Sequence, residues 1–303
     1  MRPRIADVLH TAASRLAHAA SPRAEAEELV SRLLGLTRSD LHLRPDHELD
    51  PEQVARLDAW LRRRAGGEPI QYITGRAAFR SLDLAVDPRV LIPRPETEVL
   101  TEAVLDVMRE QAARWPRPRV LELGTGSGAI ALALASEWPN AAVTATDASP
   151  DALDVARANA GALGLVDRVR FFAGDWFDAV DADERFEVVV SNPPYVATGE
   201  WDLLPQDVRA HEPHTALFSG ATGLEALREI IDLAPKHLVT GGLLALELAE
   251  SRAVEVEGWL EGAADWERVH LLDDLAGRPR VVLARRQTGP AIAPAQWGEQ
   301  PAD

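Results

Sequence analysis

Residues Arg119-Val120-Leu121-Glu122-Leu123 run directly into Gly124-Thr125-Gly126-Ser127-Gly128 and then into the apolar stretch Ala129 to Ser136, which reads as a short buried strand, a glycine turn and a helix. Glycines at alternate positions let the backbone turn tightly and approach a ligand. The helix N-terminus beyond them offers unpaired N–H groups and the positive end of its dipole. Many strand-to-helix turns are glycine-rich for packing alone, so the loop needs a partner. A second apolar run, Ala141 to Thr146, supplies one by ending in Asp147, 19 residues after Gly128. A carboxylate there accepts hydrogen bonds from both ribose hydroxyls of a nucleoside. Alternatively Asp147 caps the next helix, a task for which Ser149 before Pro150 is an equal or better candidate.

Two further strand ends follow. Val169 to Ala173 leads into Gly174-Asp175-Trp176-Phe177, where an acid and an aromatic can hold an adenine by its amino group and its ring, although a Trp beside Phe177 also suits plain core. Phe186 to Ser191 leads into Asn192-Pro193-Pro194-Tyr195. In a doubly wound sheet, ligands sit outside the carboxyl ends of the strands where strand order reverses. If the first and fourth strands are neighbours there, the glycine loop and Asn192 face one crevice.

The Asn-Pro-Pro-Tyr turn suits a planar NH2 group. Consecutive prolines have no N–H to donate and hold φ near about −65°, so the turn is stiff and its carbonyls stay free as acceptors. The Asn192 side-chain oxygen is another acceptor, and Tyr195 can pack on a planar group. Two acceptors orient an amide or exocyclic amino nitrogen and make it more electron-rich. A proline-rich turn that merely closes a buried strand is the bland alternative. The glycine loop has the pattern G-x-G-x-G, without the spacing of the dinucleotide fingerprint, and no hydride-transfer acid or base accompanies it. An amine-orienting turn beside a nucleoside pocket better matches methyl transfer from S-adenosylmethionine, which needs alignment of nitrogen, methyl and sulfur. It calls for no metal.

At 303 residues the chain is long enough for two domains. It has no cysteine, which excludes disulfides, thiolate catalysis and Cys-ligated metals, and its nearest histidine pair, His211 and His214, has only Glu212 beside it. No signal-peptide pattern or membrane-crossing run is found, so a cytoplasmic chain is expected. The net charge of −16 opposes general nucleic-acid binding. That charge is uneven: residues 1–66 carry 11 Arg against 10 Asp plus Glu, so the acid surplus lies beyond them. Arg62-Arg63-Arg64 is the densest basic spot and is best read as a solvated helix end.

Helical periodicity without strand signals covers Ile5 to Ala19, Arg23 to Leu34 and Pro51 to Ala65, with Ser21 and Asp50 as caps before prolines; such helices must bury their stripes in a small bundle. Gly66-Gly67 ends it. Glu68 to Val90 reads as a hairpin-like connector, and Leu91-Ile92-Pro93-Arg94-Pro95-Glu96-Thr97-Glu98 leads into a helix through about Arg114. Strands and helices alternate from Arg119, with later strands at Gly242 to Leu248, Arg268 to Leu272 and Arg280 to Ala284. The last two are joined too briefly for a crossover helix, which predicts an antiparallel terminal pair. The expected domains are a helical substrate-recognition domain at 1–66, a connector at 67–92, an α/β catalytic domain at 93–286 and a disordered tail at 287–303.

Taken together these residues resemble the release factor glutamine methyltransferase family, known as PrmC or HemK. The resemblance rests on Glu68 through Gly75 (EPIQYITG), Leu91 through Glu98 (LIPRPETE), Leu121 through Gly128 (LELGTGSG), Gly174 through Phe177 (GDWF) and Asn192 through Tyr195. Asn-Pro-Pro-Tyr alone is shared with adenine-N6 and other amino-group methyltransferases; LIPRPETE behind a helical bundle is far more specific. The resemblance implies an α/β, seven-stranded, doubly wound methyltransferase domain behind a small helical bundle. It implies S-adenosylmethionine bound by Gly124, Thr125, Gly126, Ser127, Gly128, Asp147, Asp175, Trp176 and Asn192. Asn192 and the Pro193 carbonyl would hold the substrate amide, Pro194 and Tyr195 would complete its slot, and Arg94 and Glu96 would shape the entrance or brace the domains. The products would be N5-methylglutamine in the Gly-Gly-Gln loop of peptide chain release factors and S-adenosylhomocysteine, from a monomer that binds neither membrane nor nucleic acid. Competing readings are a ribosomal protein glutamine methyltransferase, an adenine-N6 methyltransferase, which would need a basic face and a base-flipping pocket, and a non-enzymatic nucleoside-binding module.

Overall fold

The computed structural model describes residues 2–287. Two compact units divide the chain, the first comprising Met1–Ala77, Ala85–Pro88 and Leu203–Glu212, the second Ala78–Leu84, Arg89–Asp202 and Pro213–Asp303.

In the first unit, α1 (Ile5–Arg15), α2 (Pro22–Leu34), α3 (Arg38–Leu43), α4 (Pro51–Ala65) and α5 (Ile70–Thr74) enclose a core that includes Ile5, Leu16, Leu29, Val30, Leu41, Leu49 and Leu61. Asp50 closes a capping box with Gln53 ahead of Pro51. Ser21 stands at the corresponding place but its side chain makes no cap bond, so Pro22 alone sets the entry to α2. α1 stops at Arg15, short of the expected Ala19, and residues 16–21 run through turns and bends ahead of Pro22. α3 and α5 were not expected; at 6 and 5 residues they are too short to show a helical period. The three arginines at the end of α4 are ion-paired within the unit: Arg62 with Asp58, Arg63 with Glu68 at 2.5 Å and Arg64 with Glu25 at 2.7 Å. They complement the helix dipole, but the solvated-end reading holds for Arg62 and Arg63 and not for Arg64, whose side chain is mostly buried against Glu25.

A hairpin, β1 (Arg76–Phe79) and β2 (Leu82–Ala85), follows, and then α6 (Pro95–Glu110). From there β3 (Arg119–Leu123), α7 (Ala129–Glu137), β4 (Ala142–Asp147), α8 (Pro150–Ala162), β5 (Val169–Ala173), β6 (Phe186–Ser191), α9 (Gln206–His211), α10 (Glu225–His237), β7 (Leu238–Glu247), α11 (Ala253–Gly262), β8 (Trp266–Asp273) and β9 (Pro279–Arg286) complete the described chain. Seven strands form one sheet in the order β5-β4-β3-β6-β7-β9-β8, with β5 through β7 parallel and β9 antiparallel to both its neighbours. The expected antiparallel terminal pair is therefore present. Both faces are buried: Val120, Val188 and Val190 pack with α6 and α7 on one side, Leu121, Val189 and Leu244 with α10 and α11 on the other. β7 begins at Leu238, four residues before the expected start at Gly242, and Gly241-Gly242 lies inside the strand. A Cβ at Gly242 would lie 2.9 Å from the Val239 carbonyl, so the strand needs glycine there. The expected disorder beyond Arg286 falls, except for Gln287, outside the described residues.

Arg80, at the tip of the hairpin, adopts φ +52°. Its N–H donates to Glu98 at 2.7 Å, and its guanidinium bridges Glu137 and Glu102, both at 2.5 Å. We expect Arg80→Ala to destabilise the protein by about 2 kcal/mol in urea unfolding. Arg80→Gly should lose about 1 kcal/mol less, since glycine carries no left-handed penalty. Equal losses would show that the backbone here is unstrained.

Candidate active site

β3 and β6 lie side by side with Leu123 opposite Ser191, and the Ser191 hydroxyl donates to the Leu123 carbonyl at 2.7 Å. The glycine loop and the Asn-Pro-Pro-Tyr turn leave the same sheet edge from adjacent strands. On the other flank of β3, β4 ends in Asp147, which pairs in register with Ala173 of β5. Four strand ends thus surround a cavity of about 510 Å³, lined among others by Gly124, Gly126, Asp147, Asp175, Trp176, Asn192 and Pro194. That volume suits a ligand of nucleoside size.

Asp147 is fixed by two backbone donors, Gly126 N–H at 2.8 Å and Ser149 N–H at 2.9 Å. The helix cap is Ser149, whose hydroxyl accepts from Ala152 N–H at 3.2 Å. Burial pushes the Asp147 carboxyl up, against the lowering effect of those two N–H groups. Trp176 adopts φ +37°, and its carbonyl accepts from the buried Thr146 hydroxyl at 3.2 Å. A bulky residue in this region is strained and is held there by its surroundings, at the wall of the cavity.

Thr125, Ser127 and Gly128 belong to the same loop but do not line the cavity. Thr125 turns inward and donates to Glu122 at 2.5 Å, and the same carboxyl oxygen accepts Ala131 N–H at 3.0 Å. Glu122 therefore joins β3, the loop and the first turn of α7. Burial pushes it up to about 8, with the Thr125 and Ala131 hydrogen bonds working against the rise.

After the turn, Val196 N–H donates to the Leu217 carbonyl at 3.0 Å and Ser219 N–H to the Val196 carbonyl at 2.9 Å, which ties the far side of Tyr195 to the segment before α10. Gly223 adopts φ +77°, and a Cβ there would lie 2.5 Å from the Tyr195 carbonyl. Only glycine leaves the turn its place. Asn192 donates through Nδ2 to the Thr97 hydroxyl at 3.1 Å, Thr97 donates to Glu247 at 2.7 Å, and the Tyr195 hydroxyl approaches the other Glu247 oxygen at 3.5 Å. Burial, then the nearby Glu247 carboxylate, raise the Tyr195 phenol above its ordinary value. Arg94 and Glu96 do not line the cavity. They stand at the start of α6, where both act electrostatically on Tyr195, and Glu96 pairs with Arg278 at 3.6 Å.

Sequence reasoning passed over Thr97, Glu247 and Gly223. Thr97 lies within the quoted 91–98 segment, and Glu247 is the single acid in the apolar strand Gly242 to Leu248, which is the signal that could have found it. Val90, Phe218 and Ser219 also line the cavity without having been singled out, as does Leu91 from the 91–98 segment, to which no role was given. A larger hollow of about 670 Å³ beside α10 and α11, lined by Arg228, Arg252 and Trp259, contains no strand end and only Ala197 from the segment after the turn. Among the described residues no group of His, Asp and Glu could hold a metal ion, and no helix is long and apolar enough to cross a membrane.

A family profile described as the PrmC N-terminal domain matches residues 7–75, and one described as the methyltransferase small domain matches residues 96–207. The release factor glutamine methyltransferase of Koribacter versatilis is 42% identical over 268 residues, covering 88% of this chain and 92% of the relative. That of Cereibacter sphaeroides is 43% identical over 284 residues, covering 93% and 98%, and that of Moorella thermoacetica 44% identical over 266 residues, covering 88% and 92%. Among solved structures, the hMettl16 catalytic domain in complex with a MAT2A 3'UTR hairpin aligns with TM-score 0.55 at 15% identity over 80% of this chain and 84% of that one, a likeness of fold.

Because the folded-state value of Glu122 is raised, the unfolded chain ionises first as pH rises, and stability is lost between the ordinary value of 4.5 and about 8. Thermal midpoints should therefore fall from pH 5 to pH 8. Glu122→Gln, which keeps an acceptor for Thr125 and Ala131, should flatten that fall. An unchanged slope in the variant would remove Glu122 as its source.

Proposed function

Because the chain belongs to the release factor glutamine methyltransferase family, we propose that it transfers a methyl group from S-adenosylmethionine to the side-chain amide nitrogen of the glutamine in the Gly-Gly-Gln motif of peptide chain release factors. The observation that carries this reading is the placement of Asn192 and Pro194 on the wall of the cavity that also holds Asp147 and Trp176. An amide-orienting turn and a nucleoside pocket share one space.

The residues present fit the methyl donor. Asp147 offers a carboxylate for ribose hydroxyls, Trp176 a ring face for adenine, and Gly124 and Gly126 a backbone without side chains between them and the ligand. The cavity's charged liners are Asp147, Asp175, Glu225 and Glu229 against Arg89, a balance that favours a cationic ligand. Bound S-adenosylmethionine supplies the methyl group on an electrophilic sulfonium. The protein's part is alignment. The Asn192 side-chain oxygen and the Pro193 carbonyl accept the two N–H groups of the substrate amide, and Pro194 and Tyr195 bound its plane. With both hydrogens engaged, the nitrogen is held toward the cavity and its electron density is raised. Its proton can leave after transfer, so no general base is assigned. The reaction yields N5-methylglutamine and S-adenosylhomocysteine.

The helical domain at 1–66 is assigned to release factor recognition, with 67–92 as its connector to the catalytic domain at 93–286. Arg94 and Glu96 are assigned either to the substrate entrance, a reading supported by their electrostatic effect on Tyr195, or to bracing the domains. A cytoplasmic monomer acting in translation termination is the setting that fits these assignments.

Purified enzyme with radiolabelled S-adenosylmethionine should label a release factor, and the label should vanish when the Gly-Gly-Gln glutamine is replaced by alanine. Equal labelling of that mutant would overturn the assignment. Preferential labelling of a ribosomal protein would move the acceptor to that substrate. Asn192→Ala should keep cofactor affinity within about tenfold, roughly 1.4 kcal/mol. Turnover should fall by about 10²-fold or more. Titration calorimetry and steady-state kinetics separate the two, and unchanged turnover would take Asn192 out of the mechanism.

A further inference from the structure

The proposed function requires Asn192 to present its oxygen, not its NH2, to the substrate. Nothing intrinsic to an asparagine ensures this, because its amide fills nearly the same space when rotated by about 180°. The choice must be made by what lies behind it. Behind it is the Thr97 hydroxyl, 3.1 Å from Asn192 Nδ2, and behind that is Glu247, 2.7 Å from the Thr97 oxygen. Thr97 is 5% exposed and Glu247 1%, so water does not compete for these bonds.

A threonine hydroxyl has one hydrogen to give. An ionised carboxylate only accepts, so Glu247 takes that hydrogen. The Thr97 oxygen is left with lone pairs, which accept from an N–H and repel a carbonyl oxygen. Asn192 must then place Nδ2 against Thr97 and turn Oδ1 away from it, toward the substrate side.

We propose that Thr97 and Glu247 are positioning residues for methyl transfer: the Glu247 carboxylate orients the Thr97 hydroxyl, and that hydroxyl holds the Asn192 amide with its oxygen facing the acceptor amide. The inference rests on the function proposed above and extends it to two residues behind the turn. The fold supports the arrangement independently of the chemistry. Thr97 stands in the first turn of α6, where its N–H donates to the Arg94 carbonyl at 3.1 Å and its carbonyl accepts from the Thr101 hydroxyl at 3.0 Å. Glu247 closes β7 one residue beyond Leu246, which pairs with Ser191 just before Asn192. Helix and sheet therefore fix both ends of the relay.

The relay depends on the charge state of Glu247. Protonated, Glu247 could donate to Thr97, and Thr97 could then donate to Asn192 Oδ1 with the amide reversed. The groups facing Glu247 are Thr97 and Glu96 from α6, Tyr195 after β6 and Arg280 from β9. Burial pushes Glu247 up to about 7; the Thr97 hydrogen bond and Arg280 lower it, Glu96 raises it and Tyr195 lowers it. The oriented state is present above that value and lost as pH falls through it.

The test uses the full-length enzyme and a purified release factor, with kcat, KM and S-adenosylmethionine affinity measured for wild type, Thr97→Val, Thr97→Ser and Glu247→Gln. Thr97→Val keeps the shape and removes the hydroxyl; kcat should fall by about 10- to 100-fold. KM for the release factor and cofactor affinity should stay within about threefold of wild type. Thr97→Ser should restore kcat to within about threefold. Wild type and Thr97→Ser should lose kcat as pH drops below about 7. Glu247→Gln, whose amide can present either end to Thr97, should have reduced kcat and lack that limb. Wild-type kcat in Thr97→Val, or a Thr97→Ser enzyme as impaired as Thr97→Val, overturns the proposal. If Thr97→Val has no cooperative thermal transition, Glu247→Gln decides: a pH profile identical to wild type overturns it. A wild-type enzyme that labels no release factor overturns the function reading itself, an outcome seen before any variant is compared.

Discussion

The hydrogen-bonded pairing of β3 with β6, with Leu123 opposite Ser191, is the constraint on which the site depends. Parallel neighbours finish at the same edge, so the loops that follow them emerge side by side although 68 residues separate the bonded pair Leu123 and Ser191. The register is not free to slip. Leu121 and Val189 pack on one face and Val120, Val188 and Val190 on the other, and a shift of one residue would exchange the faces on β6 against helices already matched to them. The same edge receives Asp147 from β4 and Glu247 from β7, through their own pairings with β3 and β6. Position in the sheet alone collects these groups at one edge.

Three carboxyls near that edge, Glu122, Asp147 and Glu247, are held mainly by neutral donors: Thr125 and Ala131, Gly126 and Ser149, and Thr97. Arg280 is the nearby cation that acts on Glu247. Hydroxyls and N–H groups fix a carboxyl's direction without cancelling its charge, whereas a bound arginine does both. The cost is burial, which pushes all three carboxyls upward.

The parts of this arrangement legible in the sequence are those written in a few consecutive residues. The apolar strand before Gly124, the acid closing β4 and the prolines after Asn192 each constrain their own backbone, so local chemistry announces them. The order β4-β3-β6 was legible only conditionally, through the rule that ligands gather where strand order reverses. What escaped was either too short or too distant. α3 and α5 offer no full amphipathic period, and the first four residues of β7, with Thr240 and Gly241 among them, lack the apolar run that marks its later part. Thr97 and Glu247 meet across 150 positions, and no spacing rule connects them. A buried acid at the end of an otherwise apolar strand was the trace that Glu247 left, and Thr97 stood in the 91–98 segment without a role.

An asparagine followed by two prolines orients an NH2 group without specifying what the group belongs to, so the turn leaves the acceptor open between an amide and a base. Charge narrows it. A nucleic-acid substrate must have its phosphates neutralised near the site, and 48 acidic residues against 32 basic ones make that neutralisation unfavourable over the chain as a whole. Arginines that could have formed a basic face are committed: Arg62, Arg63 and Arg64 to acids in the helical unit, and Arg80 and Arg278 to carboxylates in the second unit. An ion-paired arginine could serve phosphate only by giving up its carboxylate, which would then repel the same strand. A protein acceptor makes no such demand, and a glutamine amide has two N–H groups to match the two acceptor oxygens proposed for the turn.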